Sequence, residues 1–195
     1  MSIDYIEEEK EMDLFNQLMV GLMGTLLGAL GMRWLDSRGA VRIYRKLVYQ
    51  KATGKPMGIY SENLSCNIIV PIWIEIHNEK NTQIVVRDFS LGLYCKGRLV
   101  SKLIQIDKQY IKKNGVEKEI YYGKEGKYSF DVSKNNFEKY ELLLYLKKEE
   151  SNQVYDELKF QYYIGQKKYV KNFMKFDTPW EPMEIGVDKD WVESN

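Results

Sequence analysis

Two patterns of apolar and polar residues divide the chain. Leu18 to Met32 (LMVGLMGTLLGALGM) is fifteen residues without a charge. Widened to 14–35, the segment reaches the ~20 mostly apolar residues that a bilayer-spanning helix needs. From Val41 onward the pattern becomes short apolar and aromatic runs separated by turn residues, which reads as many β-strands. In Cys66 to His77, the residues Cys66, Ile68, Val70, Ile72, Ile74 and Ile76 fall on one face, with Trp73, Glu75 and His77 on the other. In Ile84 to Cys95, the residues Val85, Phe89, Leu91, Leu93 and Cys95 share one parity, and Arg87 interrupts it as a strand end or bulge would.

Further strands are predicted over 41–49, 99–106, 116–122, 127–132, 140–146, 158–164 and 168–176. Turns are predicted at Lys96-Gly97, Asn114-Gly115 and Gly165-Gln166, and loops over 51–63 and 149–153. Ser133 to Glu138 reads as one short helical turn capped by Ser133. Eight or nine short strands and no long amphipathic helix predict a mainly β fold: an antiparallel sandwich behind one N-terminal transmembrane helix. The predicted organisation is an acidic tail over 1–13, the helix over 14–35, a juxtamembrane strand and loop over 36–61, the sandwich over 62–176, and an acidic tail over 177–195.

The runs IEIHNEKNTQIVVRDFSLGLYCKGRLV and EGKYSFDVSKNNFEKYELLLYL, followed by a final hairpin, resemble an immunoglobulin-like pattern. They are similar to small, single-pass, membrane-anchored bacterial proteins of unknown function. The resemblance covers roughly residues 62–176 and carries no catalytic residues. It lacks the Cys…Trp…Cys spacing of antibody-type domains, because Trp73 follows Cys66 by only seven residues.

Inside the apolar segment, Gly21, Gly24, Gly28 and Gly31 repeat at +3, +4 and +3 and so lie along one helix stripe. In lipid, small residues let two helix backbones approach closely, which makes this stripe a candidate homo-oligomer face. Glycine is also simply common in membrane helices. The lesser competing readings are a buried or oligomer-forming helix of a water-soluble protein and a cleaved signal peptide, which would need a basic leading region where this one is acidic.

Charge adds an orientation. Residues 1–13 and 177–195 each carry a net charge of −5, so the middle carries +11 within an overall +1. Only Lys10 precedes the apolar segment, while Arg33, Arg38, Arg42, Arg45 and Lys46 follow it. Basic residues stay on the cytoplasmic side, which predicts the N-terminus outside and the β domain inside the cell. Arg33, Trp34 and Arg38 would mark the inner interface. In the acidic tail, Trp180 and Trp191 are large aromatics in a polar setting, candidates for binding a partner or for docking on the domain itself.

Candidate chemistry is sparse. One histidine, His77, and two cysteines, Cys66 and Cys95, give no recognisable metal-ligand spacing and no HExxH pattern. No phosphate-binding glycine loop occurs. The stretch KQYIKKNGVEKEIYYGKEGK mixes Lys with Tyr, but its glutamates dilute the field that nucleic acid would need. The expectation is a membrane-tethered interaction module, neither an enzyme nor dependent on a cofactor. Its predicted partners are the lipid bilayer, a second copy through the helix, and a protein of unidentified kind. The alternative is a membrane-perturbing effector whose glycine-striped helix assembles in the bilayer.

Overall fold

The computed structural model describes residues 3–49, 58–59, 66–147, 154–180 and 187–194. Helix α1 (Ile3–Ser37) is followed by β1 (Val41–Leu47), β2 (Gly58–Ile59), β3 (Cys66–Asn78), β4 (Ile84–Cys95), β5 (Arg98–Gln105) and β6 (Lys108–Lys113). Then come β7 (Val116–Tyr121), β8 (Ser129–Val132), β9 (Asn136–Lys147), β10 (Tyr155–Ile164), β11 (Lys167–Trp180) and β12 (Val192–Glu193). Every ladder among the described residues is antiparallel.

The strands hydrogen-bond in the order β11-β10-β4-β5-β9-β3-β1-β12, with β8 on β4 and β2 on β3. The link between β5 and β9 is only two residue pairs long, Ile104 with Tyr145 and Gln105 with Leu144. The sheet therefore curls there into two layers, β11-β10-β4-β5 against β9-β3-β1, in a sandwich-like fold. One core joins them: Ile68, Val70, Ile72, Ile74 and Ile76 of β3 pack in the same cluster as Phe89, Leu91 and Leu93 of β4 and Leu158 and Phe160 of β10. The alternation predicted for β3 is the physical origin of this face, since successive side chains of a strand point to opposite sides.

The predicted parity of β4 needs correction. Ile84 and Val86 are buried with Phe89, Leu91 and Leu93, whereas Val85 is 39% exposed and Cys95 only half-buried. Asp88 adopts φ +56, and the β4–β10 register shifts beside it. The extra residue of this bulge swaps the inward parity between Val86 and Phe89.

The helical turn predicted over 133–138 does not form. Lys134 and Asn135 make a turn and β9 begins at Asn136. The Asn78 amide Nδ2 donates to the carbonyls of Thr82 (2.8 Å), Val132 (3.2 Å) and Ser133 (2.9 Å). The Asn135 N–H donates to the Lys80 carbonyl at 3.1 Å, so these backbone groups serve a loop–loop junction instead of a helix.

Strand β6 was not foreseen. It pairs with β7 across Asn114-Gly115 as a separate hairpin, with both turn residues at positive φ (54° and 79°), the geometry of a two-residue type I′ turn. Lys96-Gly97 turns the same way. The base of the β6–β7 hairpin explains three consecutive buried leucines in β9: Leu142 and Leu144 face the main core, and Leu143 packs outside with Ile69 and Tyr122.

Two boundaries also move. Helix α1 starts at Ile3, so the segment predicted as an acidic tail is helical from that residue. The C-terminal tail is not wholly irregular: β11 runs to Trp180, and β12 pairs with β1, Tyr44 opposite Glu193 and Arg45 opposite Val192. The predicted loop over 51–63 lies outside the described residues except for β2, and that over 149–153 lies outside them entirely.

Candidate functional site

Phe15–Leu35 is a 21-residue stretch of α1 with mean hydropathy 1.5, and none of its apolar window is buried against the rest of the chain. At 1.5 Å per residue it is about 31 Å long, close to the ~30 Å hydrocarbon core of a bilayer. Length and composition thus make it one helix able to cross a membrane. Twelve large apolar side chains on it are exposed, from Phe15 (63%) to Leu35 (50%). Within the stretch the Thr25 hydroxyl donates back to the helix, reaching the carbonyls of Gly21 (3.0 Å) and Leu22 (2.8 Å).

Gly21, Gly24, Gly28 and Gly31 all lie on this helix, and a Cβ placed on any of them would meet nothing within 4 Å. The stripe is open along its whole length. At the far end Trp34 is 59% exposed and the Arg38 guanidinium lies 3.5 Å from its ring centroid, a cation–π pair one helical turn apart. Arg33 is exposed beside it.

The helix passes into the sandwich through a tight junction. Gly39 has φ +105, and a Cβ there would overlap the Glu79 carbonyl, so only glycine fits. The Glu79 N–H donates to the Ala40 carbonyl at 2.9 Å, and Arg42 Nε lies 3.2 Å from Glu79 Oε1. A side-chain hydrogen bond with Tyr44 and, after it, the charge of Glu79 raise the Arg42 pKa.

Not all the flanking cations are free to mark topology. Arg45 points into the sandwich and is 7% exposed. It donates from Nη1 to Ser194 Oγ (3.0 Å) and from Nη2 to the Phe173 carbonyl (3.2 Å), with its guanidinium 4.8 Å from the Phe173 ring centroid. Burial lowers its pKa, opposed by the nearby Asp188 carboxylate. The period of β1 could have marked it, since Arg45 shares parity with Ile43 and Leu47.

The two tail tryptophans separate. Trp180 ends β11 opposite Tyr155, and its side chain lies outside the described residues. Trp191 is half-buried, with Lys139 Nζ 5.0 Å from its ring centroid and 4.1 Å from that of Trp73. Trp191 therefore sits against the outer face of the β9-β3-β1 layer.

Elsewhere the chemistry is that of packing and surface pairing. His77 Nε2 lies 3.3 Å from Glu75 Oε2, and its ring sits between Tyr44 and Phe137. On the β6–β7 hairpin, hydrogen bonds to Tyr110 and Glu119 raise the Lys108 pKa, and those from Tyr121 and Lys108 lower that of Glu119. Burial pushes Tyr140 and Tyr162 up to about 12. Cys95 is a free thiol, while the side chain of Cys66 lies outside the described residues. Among the described residues no three His, Cys, Asp or Glu side chains gather as a metal site. No protein-family model, curated protein or solved structure matches the chain.

Proposed function

We propose that this chain is a membrane-tethered interaction module, with α1 crossing the bilayer once and the β domain held at the cytoplasmic surface. The observation that carries the reading is the apolar stretch Phe15–Leu35, none of whose apolar window is buried. Fully burying a large apolar side chain is worth ~1.5–3 kcal/mol, and these twelve are 43–73% exposed, so leaving them in water forgoes on the order of 10–20 kcal/mol. That is comparable to the whole stability of a typical domain, so something apolar must cover the helix. Hydrocarbon of matching thickness does so without further protein. Tethering raises the local concentration of the β domain for any partner at the same surface.

Orientation rests on Arg33 and Arg38 at the domain-side end of the helix against a single Lys10 before it. An immunoglobulin-like reading of the β domain is supported by strand order. β1, β3 and β9 stand against β11, β10, β4 and β5, as strands A, B and E stand against G, F, C and C′. A compartment-sensitive reporter fused after Asn195 tests the placement. Cytoplasmic activity is expected, and activity only on the outer side would overturn the orientation.

A second reading places the activity in the helix itself, as a membrane-perturbing assembly. It is favoured by the open glycine stripe, whose close-packing face meets nothing else among the described residues.

A further inference from the structure

On the outer face of the β11-β10-β4-β5 layer lies a cleft of about 510 Å³. Topology makes it. β5 and β8 pair one after the other with the same edge of β4, β5 with Ser90–Cys95 and β8 with Ile84–Arg87, and neither pairs with Asp88 or Phe89. At this gap Asp88 takes its left-handed conformation, and its N–H donates to the Tyr128 carbonyl at 3.0 Å. The chain leaving β5 and the chain entering β8 supply Gln105 and Tyr128 as walls, and Tyr163 closes the side towards β10.

Three polar atoms of the lining are buried without a hydrogen-bond partner: Arg87 Nε, Ser90 Oγ and Gln105 Oε1. Ser90 is 2% exposed and Gln105 5%. Buried polar groups left unsatisfied are costly and uncommon, and their gathering in one cleft marks a place prepared for a polar ligand. The free valences are directional. Gln105 Nε2 is already committed to the Lys127 carbonyl at 3.2 Å, so the amide presents its oxygen as an acceptor. Arg87 Nε stands 3.9 Å from Asp88 Oδ2, beyond hydrogen-bond reach, and its guanidinium lies 5.6 Å from the Tyr163 ring centroid. Lys102 adds a second cation.

The cleft thus offers two cations against one carboxylate, an acceptor amide oxygen, a hydroxyl able to act either way, and tyrosine rings. We propose that it binds a small hydroxylated carboxylate, of the uronic-acid class. The carboxylate would meet Arg87 and Lys102, hydroxyls would donate to Gln105 Oε1 and pair with Ser90, and the C–H face of the sugar ring would rest on tyrosine. This site does not depend on whether α1 lies in a bilayer.

The test is titration of the full chain, in micelles of a detergent without a sugar headgroup, with D-glucuronate, D-glucose and acetate, followed by calorimetry or amide chemical shifts. Saturable one-to-one binding of glucuronate in the millimolar range is expected, with glucose and acetate weaker by about tenfold or more. Arg87→Gln should erase the preference for glucuronate over glucose. Ser90→Ala should weaken glucuronate binding while leaving the melting temperature unchanged or higher, because that hydroxyl has no partner to lose. The proposal is overturned if no probe saturates and the cleft holds water alone, if glucose binds as well as glucuronate, or if both substitutions leave the affinity unchanged.

Discussion

Single side chains hold together the end of the sandwich that receives the helix. Asn78 is 1% exposed and its amide ties the carbonyl of Thr82 in the β3–β4 turn to those of Val132 and Ser133 at the end of β8, while its Oδ1 accepts the Lys80 N–H at 3.1 Å. Replacing it by Ala removes these bonds and strands buried carbonyls, which should cost about 2–3 kcal/mol, read as a lower urea midpoint at unchanged slope. Asn78→Asp should cost more at neutral pH, because a carboxylate facing carbonyls cannot donate, and acidification should recover part of the loss. Tyrosine sets the alkaline limit. Tyr140 and Tyr162 are raised to about 12 in the fold, against an ordinary value near 10. A raised folded value means that the native state holds the proton longer, so stability is full below pH ~10 and falls between ~10 and ~12 by about 1.4 kcal/mol per unit for each group. Tyrosinate absorbance followed beside circular dichroism should show these two ionising only as the fold melts. At this scale the sequence was partly opaque. Nothing in the sequence marks Asn78 as a hub of loop contacts or Asp88 as the residue that swaps the parity of β4, because a left-handed residue is chosen by the tertiary gap it bridges. The broken alternation at Arg87 was the one legible trace.

Among the elements, those with strong period or paired turn residues were legible. The alternation of β3, the turns at Lys96-Gly97 and Asn114-Gly115, and the final hairpin at Gly165-Gln166 all stand where local pattern puts them. Strand β6 was missed because KQYIKK is polar on both sides, as a hairpin standing apart from the main sheet permits. Strand β12 was missed because two residues carry no period, and its role comes from what it covers. It pairs with the open edge of β1 and brings Ser194 onto buried Arg45, so an otherwise unpaired edge is shielded. Removing residues 192–195 should lower stability by about 1–3 kcal/mol and promote association through the bared edge, seen by urea unfolding and light scattering. For α1, Gly24→Leu with Gly28→Leu separates the two readings of the helix. If the glycine stripe is an assembly face, cross-linked dimers in bilayers should disappear while the β-domain melting temperature holds. Dimers that persist would remove the stripe from any function.

At the scale of the molecule, the layout is an apolar helix, exposed along its length, leading into a sandwich with its own core. Its class, mainly antiparallel β behind one apolar helix, was legible because both depend on local period and length. The cleft beside Asp88 was not, since it arises where two strands share one edge of a third and its residues are scattered from Arg87 to Tyr163. The central claim is that Phe15–Leu35 lies in hydrocarbon. The direct measurement is alkaline carbonate extraction of membranes from cells making the full chain, followed by flotation. The account predicts that the protein stays with the floating bilayer, and that a chain lacking residues 1–37 does not. Full-length protein released to the aqueous fraction, monodisperse without detergent, would contradict it.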